Sequence, residues 1–214
     1  MARAPSPAAA ARDAVAPARA ALAPAVCYHV YAALAGSTVA APRYVTAQGT
    51  CWRHEGRRLV PLEREWAFTM REVVCVGAPG DVRAFLERAV CRVTDLADAL
   101  DVTGLVVEAT DPFFAPTGRG KLLVQRMKGL KRELLLPIAP GHRIAAASFN
   151  DHETFFGEAF GIRLPDGTPA STGCVAFGLE RWMLAFLAEH GADTDAWPAV
   201  AQALVADEGA WRAQ

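Results

Sequence analysis

Residues 172–182, TGCVAFGLERW, decide how this chain is read. The stretch begins Thr-Gly-Cys, runs through small apolar residues, and ends with Gly178, Glu180 and Arg181 together. A short apolar run followed at once by a longer periodic one reads as a strand at 171–177 turning directly into a helix at 178–190. The unit therefore carries a cysteine at one end and an arginine at the other. Both residue types do chemistry, so the neighbours that share their face matter.

Working outward, residues 66–77, WAFTMREVVCVG, read as a strand, paired through a polar, proline-containing loop at 56–65 with a strand at 48–55. From Asp81 to Leu100, apolar residues recur at three- and four-residue steps (Val82, Phe85, Leu86, Ala89, Val90, Val93, Leu96, Ala97, Leu100), which predicts an amphipathic helix. Gly80-Asp81 supplies its start signal. Further strands are expected at 104–109, 132–138, 142–149 and 158–164. Helices are expected at 119–131, which carries Arg119, Lys121, Arg126, Lys128 and Lys131, and at about 198–206. Residues 26–35, VCYHVYAALA, open the core. Hairpins with a few helices, rather than alternating βαβ units, give the class as α+β. Residues 1–25 are Ala/Pro-rich and are expected to form a poorly ordered arm ahead of one domain at 26–214.

The 214 residues suffice for one domain with a real core. A formal net charge of −1 disfavours a protein that works on nucleic-acid backbones. Five scattered cysteines without a paired framework fit a reducing, cytoplasmic setting. No long uncharged apolar run suggests a membrane span.

Period 2 places Phe68, Met70, Glu72, Val74 and Val76 on one face. Glu72 is the one charge among apolar neighbours. Such a carboxylate either reaches solvent at an edge or is paired or metal-bound. Cys51, Arg53 and Glu55 are expected to share a face of the first strand. Arg53 offers a fork suited to phosphate, although a solvent-facing ion pair is the commoner use of R-x-E. Cys27 and Cys174 read alone as small buried hydrophobes. The spacing of Cys27, Glu72 and Cys174 does not by itself argue for a metal site.

In order along the chain stand CYHVY, CWRHE, REWAFTMRE, TDPFFAP, LKRELL, SFNDH and CVAFGLER. These resemble, in the same order, stretches of the amino acid:[carrier protein] ligases, which are truncated class II proteins similar to seryl-tRNA synthetases. The resemblance covers about residues 26–190, with 52–72 similar to motif 2 and 173–182 to motif 3.

The resemblance implies a class II catalytic domain, an antiparallel sheet flanked by helices. It also implies activation of a small amino acid by ATP and Mg²⁺ as an aminoacyl-adenylate. The acyl group then passes to the phosphopantetheine thiol of a carrier protein, not to tRNA. It implies zinc held by Cys27, Glu72 and Cys174, with an open fourth position for the substrate amine. Arg53 is expected at the α-phosphate and Arg181 at the terminal phosphates. Glu55, Arg64, Phe68 and Gly178 complete the ATP site, with Phe68 stacking on adenine. Glu133 is expected near Mg²⁺. Asp111, Lys131, Ser148 and Asn150 are expected on the amino-acid or carrier-arm side, and the basic stretch 119–131 could steer an acidic carrier.

Family members are dimers built through motif 1. The Ala/Pro arm stands in its place here, so the resemblance leaves a homodimer by that route open. Two rival expectations stand beside the ligase: a non-catalytic synthetase-like binding or regulatory protein, and aminoacyl transfer to another small acceptor.

Overall fold

The computed structural model describes residues 20–56, 58–109 and 129–202. Six strands form one sheet: β1 (Arg43–Trp52), β2 (Ala67–Gly77), β3 (Leu105–Glu108), β4 (Lys131–Ala139), β5 (His142–Asp151) and β6 (Ser171–Gly178). Their spatial order is β1-β2-β6-β5-β4-β3, and every neighbouring pair is antiparallel. The helices are α1 (Cys27–Ala33), α2 (Pro79–Ala99), α3 (Phe155–Phe160) and α4 (Leu179–His190). This is the antiparallel sheet flanked by helices that the motifs imply.

The alternation along β2 and β6 sorts the two faces of the sheet. Cys75 and Val175 face one side, where α2 packs Val82, Phe85, Leu86, Ala89, Val93 and Ala97 and α4 contributes Ala185, Trp182 and Phe186. Burying a side chain such as Phe85 or Leu86 is worth roughly 1.5–3 kcal/mol, so this stripe fixes α2 firmly. Leu96 breaks the pattern and is exposed. Pro79 begins α2, and the Asp81 side chain accepts from the Ala78 N–H at 3.3 Å, which answers one orphan donor at the helix start. Val74, Val76 and Cys174 face the other side, under α1 and α3. That second face is only partly covered, and the uncovered part becomes a cleft.

Three expectations about local structure change. Residues 158–164 are not a strand: Phe155–Phe160 is helical, and Gly161 ends it at φ 65°. Phe156 and Phe160, four apart, both lie against Tyr31, so the helix buries one aromatic face. The first strand starts at Arg43 and ends at Trp52, so Arg53 and Glu55 lie in the loop beyond it and not on a strand face with Cys51. The last residues of the expected helix 119–131 are a left-handed turn at Gly129 (φ 59°) followed by β4. The rest of that segment, with Asp111, lies outside the described residues, as do residues 1–19 of the arm. Residues 199–202 are helical, matching the start of the expected last helix. Among the described residues, no helix is long and apolar enough to cross a membrane.

Candidate active site

Sheet register builds the floor of the cleft. Glu72 on β2 stands opposite Ala176 on β6, and Val74 opposite Cys174. Cys174 stands opposite Asn150 on β5, and Ser148 opposite Ala176. Asn150 and Ser148 in turn face Lys131 and Glu133 on β4. Ser148 and Asn150 on β5, and Lys131 and Glu133 on β4, each two residues apart along their strand, therefore share the sheet face of Glu72 and Cys174. The cleft above them measures about 380 Å³ and is lined as well by Pro24, Tyr28, Leu62 and Phe156.

At one end, Cys27 comes in from the first residue of α1. Its thiol, a Glu72 carboxylate oxygen and the Cys174 thiol lie within 4.8 Å of one another, and all three residues are buried. Glu72 is 1% exposed, on an interior strand, so it does not reach solvent at an edge. Its Oε1 accepts from the Val26 N–H at 2.7 Å, while Oε2 is buried with no partner among the described residues. An orphaned carboxylate oxygen beside two thiols is a costly arrangement by itself. Hydrogen bonding to Cys27, burial and the Glu72 charge push the Cys174 thiol well above its ordinary value. A divalent cation would reverse each of these costs. Two sulfurs and one carboxylate oxygen can hold a metal ion, and the mixture suits zinc with a fourth position open.

Around this cluster, Asn150 donates from Nδ2 to Ser148 Oγ at 3.0 Å and to Cys174 Sγ at 3.4 Å. Its Oδ1 is buried and unpartnered among the described residues. His152, just past β5, is buried, and burial lowers its pKa to about 3. Tyr28 and Phe156 meet edge to face, 5.4 Å between centroids, at the wall beside Cys27.

The other end of the cleft is polar and open. Arg53 is exposed; its Nε donates to Pro24 O at 3.0 Å, and its guanidinium lies 5.0 Å from the Phe68 ring centroid. Arg64 and Glu55 form an ion pair at 3.3 Å. Arg181 donates to the carbonyls of Glu63 and Ala145, each at 2.9 Å. Burial and the nearby Arg53 charge lower its pKa. Glu133 is paired with Lys131 at 2.8 Å.

The cleft is thus lined by every expected site residue that the structure describes except Arg64, which meets it only through the lining residue Glu55. The structure adds several to which the sequence gave no role. Glu180 Oε1 accepts from the Thr69 N–H at 2.7 Å, which ties α4 to the strand bearing Phe68, and its Oε2 is buried without a partner among the described residues. Glu63 lends its carbonyl to Arg181, and Met70 lends its sulfur to Arg53 at 3.6 Å. The ER pair of the 172–182 stretch was the available signal for Glu180, and SFNDH was the signal for His152. Glu63 acts through its backbone, which sequence does not mark.

No protein-family model matches the chain. Amino acid–[acyl-carrier-protein] ligase 1 of Bradyrhizobium diazoefficiens is 41% identical over 186 residues, which cover 86% of this chain and 56% of that protein. Ligase 2 of the same organism is 39% identical over 189 residues, covering 87% and 56%. A type-2 serine–tRNA ligase of Methanopyrus kandleri is 30% identical over 193 residues, covering 83% and 36%. Among solved structures, M. kandleri SerRS in complex with A. aeolicus tRNASec matches with a TM-score of 0.77 and 27% identity, over 87% of this chain and 38% of that one. The chain spans just over half the length of the two ligases. Its six-stranded sheet, its motif order and these matches make it a class II aminoacyl-tRNA-synthetase-like protein, closely related to the amino acid–[acyl-carrier-protein] ligases and more distantly to seryl-tRNA synthetases.

Proposed function

We propose that this chain activates a small amino acid with ATP and passes it to the phosphopantetheine thiol of a carrier protein. The observation that carries this reading is the single cleft with the Cys27–Glu72–Cys174 cluster at one end and Arg53 and Arg181 at the other. Zinc held by the three residues would bind the substrate's neutral amine and so favour acids with an α-amino group. The unpartnered Asn150 Oδ1 is an acceptor for an amine N–H on the same side. The walls set by Tyr28 and Phe156 favour a small side chain.

At the other end, adenine would stack on Phe68 in place of the Arg53 guanidinium now lying there. Arg53, released toward the α-phosphate, would stabilise charge as the amino-acid carboxylate oxygen attacks the α-phosphorus and pyrophosphate leaves. Arg181 would exchange its two carbonyl partners for the β- and γ-phosphates, with Arg64 beside it. Glu55 would accept from the adenine amino group. Gly178 lines this path; a Cβ there would meet protein no closer than 3.8 Å, so the protein's own packing does not demand glycine at that position. Glu133 would leave Lys131 for Mg²⁺, and Lys131 would then turn to the substrate carboxylate or the arriving arm. In the second half-reaction the carrier thiol attacks the acyl carbonyl, the new thioester forms, and AMP departs. Ser148 lies beside the floor of that path.

Amino-acid-dependent ATP–pyrophosphate exchange on zinc-loaded protein, across the common amino acids and a few β- and D-amino acids, tests this. Exchange with one or a few small ones is expected. A non-catalytic synthetase-like binding protein, in which Arg181 keeps its partners Glu63 O and Ala145 O, is the second reading. Zinc and ATP binding without exchange would select it. Exchange without carrier-dependent transfer would select another acceptor.

A further inference from the structure

Cys174 differs from Cys27 in what surrounds its sulfur. Two nitrogens approach it: Asn150 Nδ2 at 3.4 Å and His152 Nε2 at 4.0 Å. On the far side of the imidazole, Nδ1 lies 3.2 Å from the Tyr31 hydroxyl and 3.5 Å from the Thr172 hydroxyl. We propose that His152 is a positioning residue for Cys174: with Nδ1 accepting from these hydroxyls, its Nε2–H donates to the sulfur and, together with Asn150, holds it toward Cys27 and Glu72.

The tautomer follows from electrostatics. A neutral imidazole has one N–H. Two hydroxyls able to donate sit at Nδ1, and a sulfur that must be a thiolate to bind metal sits at Nε2. Placing the proton at Nδ1 would aim a lone pair at the thiolate. Placing it at Nε2 satisfies both sides. The fold fixes the ring from two directions. The His152 N–H bonds to Thr172 O, two residues before Cys174 on β6. Tyr31 stands four residues after Cys27 on α1 and is fully buried. One helix therefore supplies one thiol directly and orients the donor to the other. Partners of this kind orient metal ligands and tune their charge. The alternative use of His152 is as a filler in the aromatic cluster, since its ring meets Phe156 at 4.9 Å.

The inference rests on the metal reading of Cys27, Glu72 and Cys174, and cobalt titration separates the two. The parent protein, titrated with Co²⁺, is expected to show a thiolate-to-cobalt charge-transfer band; its absence would remove the metal reading and this inference with it. His152→Phe keeps the ring volume and loses the donor. It is expected to bind Co²⁺ and Zn²⁺ about 10–100-fold more weakly against a competing chelator, with the band moved to longer wavelength. His152→Gln restores an N–H and is expected to recover most of both readouts. Equal affinity and band position in the parent and His152→Phe would overturn the proposal, as would a His152→Gln protein as defective as His152→Phe. If His152→Phe does not fold, as judged by thermal melting without metal, Tyr31→Phe decides. It retains the imidazole and should shift the band in the same direction by less; an unchanged band and affinity would overturn the proposal.

Discussion

The two ends of the cleft are built by different physics. At the thiol end, sheet register and the first turn of α1 place every group. Glu72, Cys174 and Asn150 are buried, and their loose ends are acceptors with no donor among the described residues: Glu72 Oε2 and Asn150 Oδ1. At the arginine end the groups come from a loop and a helix start. They are exposed or half-buried and already have protein partners: Pro24 O, Glu63 O, Ala145 O and one another. The first end is prebuilt for a cation and lacks only its charge. The second must exchange protein contacts for ligand contacts. A site of the first kind binds early and supports the fold, whereas one of the second kind responds to ligand and leaves the fold alone.

The largest effect should come from Glu72→Gln. The amide keeps an acceptor for the Val26 N–H and removes the negative charge. Zinc affinity is expected to fall more than about 100-fold, beyond what loss of an outer partner costs, and pyrophosphate exchange should vanish with it. Zinc retained at parental affinity, measured by chelator competition, would mean the carboxylate is not a ligand. Next comes Arg181→Ala. Exchange is expected to slow about 10²–10³-fold with zinc content unchanged. Loss of zinc in this variant would break the division between the ends, because the arginine would then be supporting the metal cluster.

The sequence showed these two ends unequally. The period of β2 placed Glu72 among Phe68, Met70, Val74 and Val76, and that face is the observed one. It left open whether Glu72 met solvent. Only the strand order, which puts β2 between β1 and β6, closes that question. Cys27 and Cys174 lie 147 positions apart in the chain, so their meeting is a fact of topology that no local spacing carries; the family resemblance supplied it instead. R-x-E has the period of a strand face, and by that pattern Arg53 and Glu55 read as one. The strand stops at Trp52, whose N–H bonds to Ala23 O, although the Arg53 N–H still bonds to Trp66 O; Glu55 lies in the loop beyond. Residues 158–164, EAFGIRL, differ for a similar reason: a short run with a few apolar residues does not separate strand from helix by pattern alone. The packing of Phe156 and Phe160 on Tyr31 decides it.

A smaller effect, on stability, is expected at Gly157. A Cβ there would lie 2.0 Å from the Ala170 carbonyl oxygen, a backbone atom on the segment leading into β6. Gly157→Ala should therefore push α3 off the sheet, at a cost of about 1–3 kcal/mol by analogy with overpacked cores. Phe156 and the ring cluster over the thiol end move with α3. Thermal melting should show the loss, and zinc should offset part of it. An unchanged melting temperature would mean that α3 is not anchored through this contact and that the thiol end owes its order to the sheet alone.

The smallest stability effect, and the sharpest contrast, belongs to Arg64→Met. Arg64 and Glu55 are a partly exposed pair at 3.3 Å. Pairs of that kind contribute about 0–1 kcal/mol, because solvent screens the charges and two long side chains lose freedom to meet. Melting with and without zinc should accordingly match the parent. If Arg64 is instead reserved for a phosphate, its loss should raise the KM for ATP about tenfold, the effect of roughly 1.4 kcal/mol of binding energy. Turnover at saturating ATP should change less. The two readouts separate a structural ion pair from one that waits for ligand. A lower melting temperature with an unchanged KM would place Arg64 in the scaffold, and the arginine end would then share the prebuilt character of the thiol end. An unchanged melting temperature with a raised KM would mean that the ion pair holds the loop in place until ATP takes over the guanidinium.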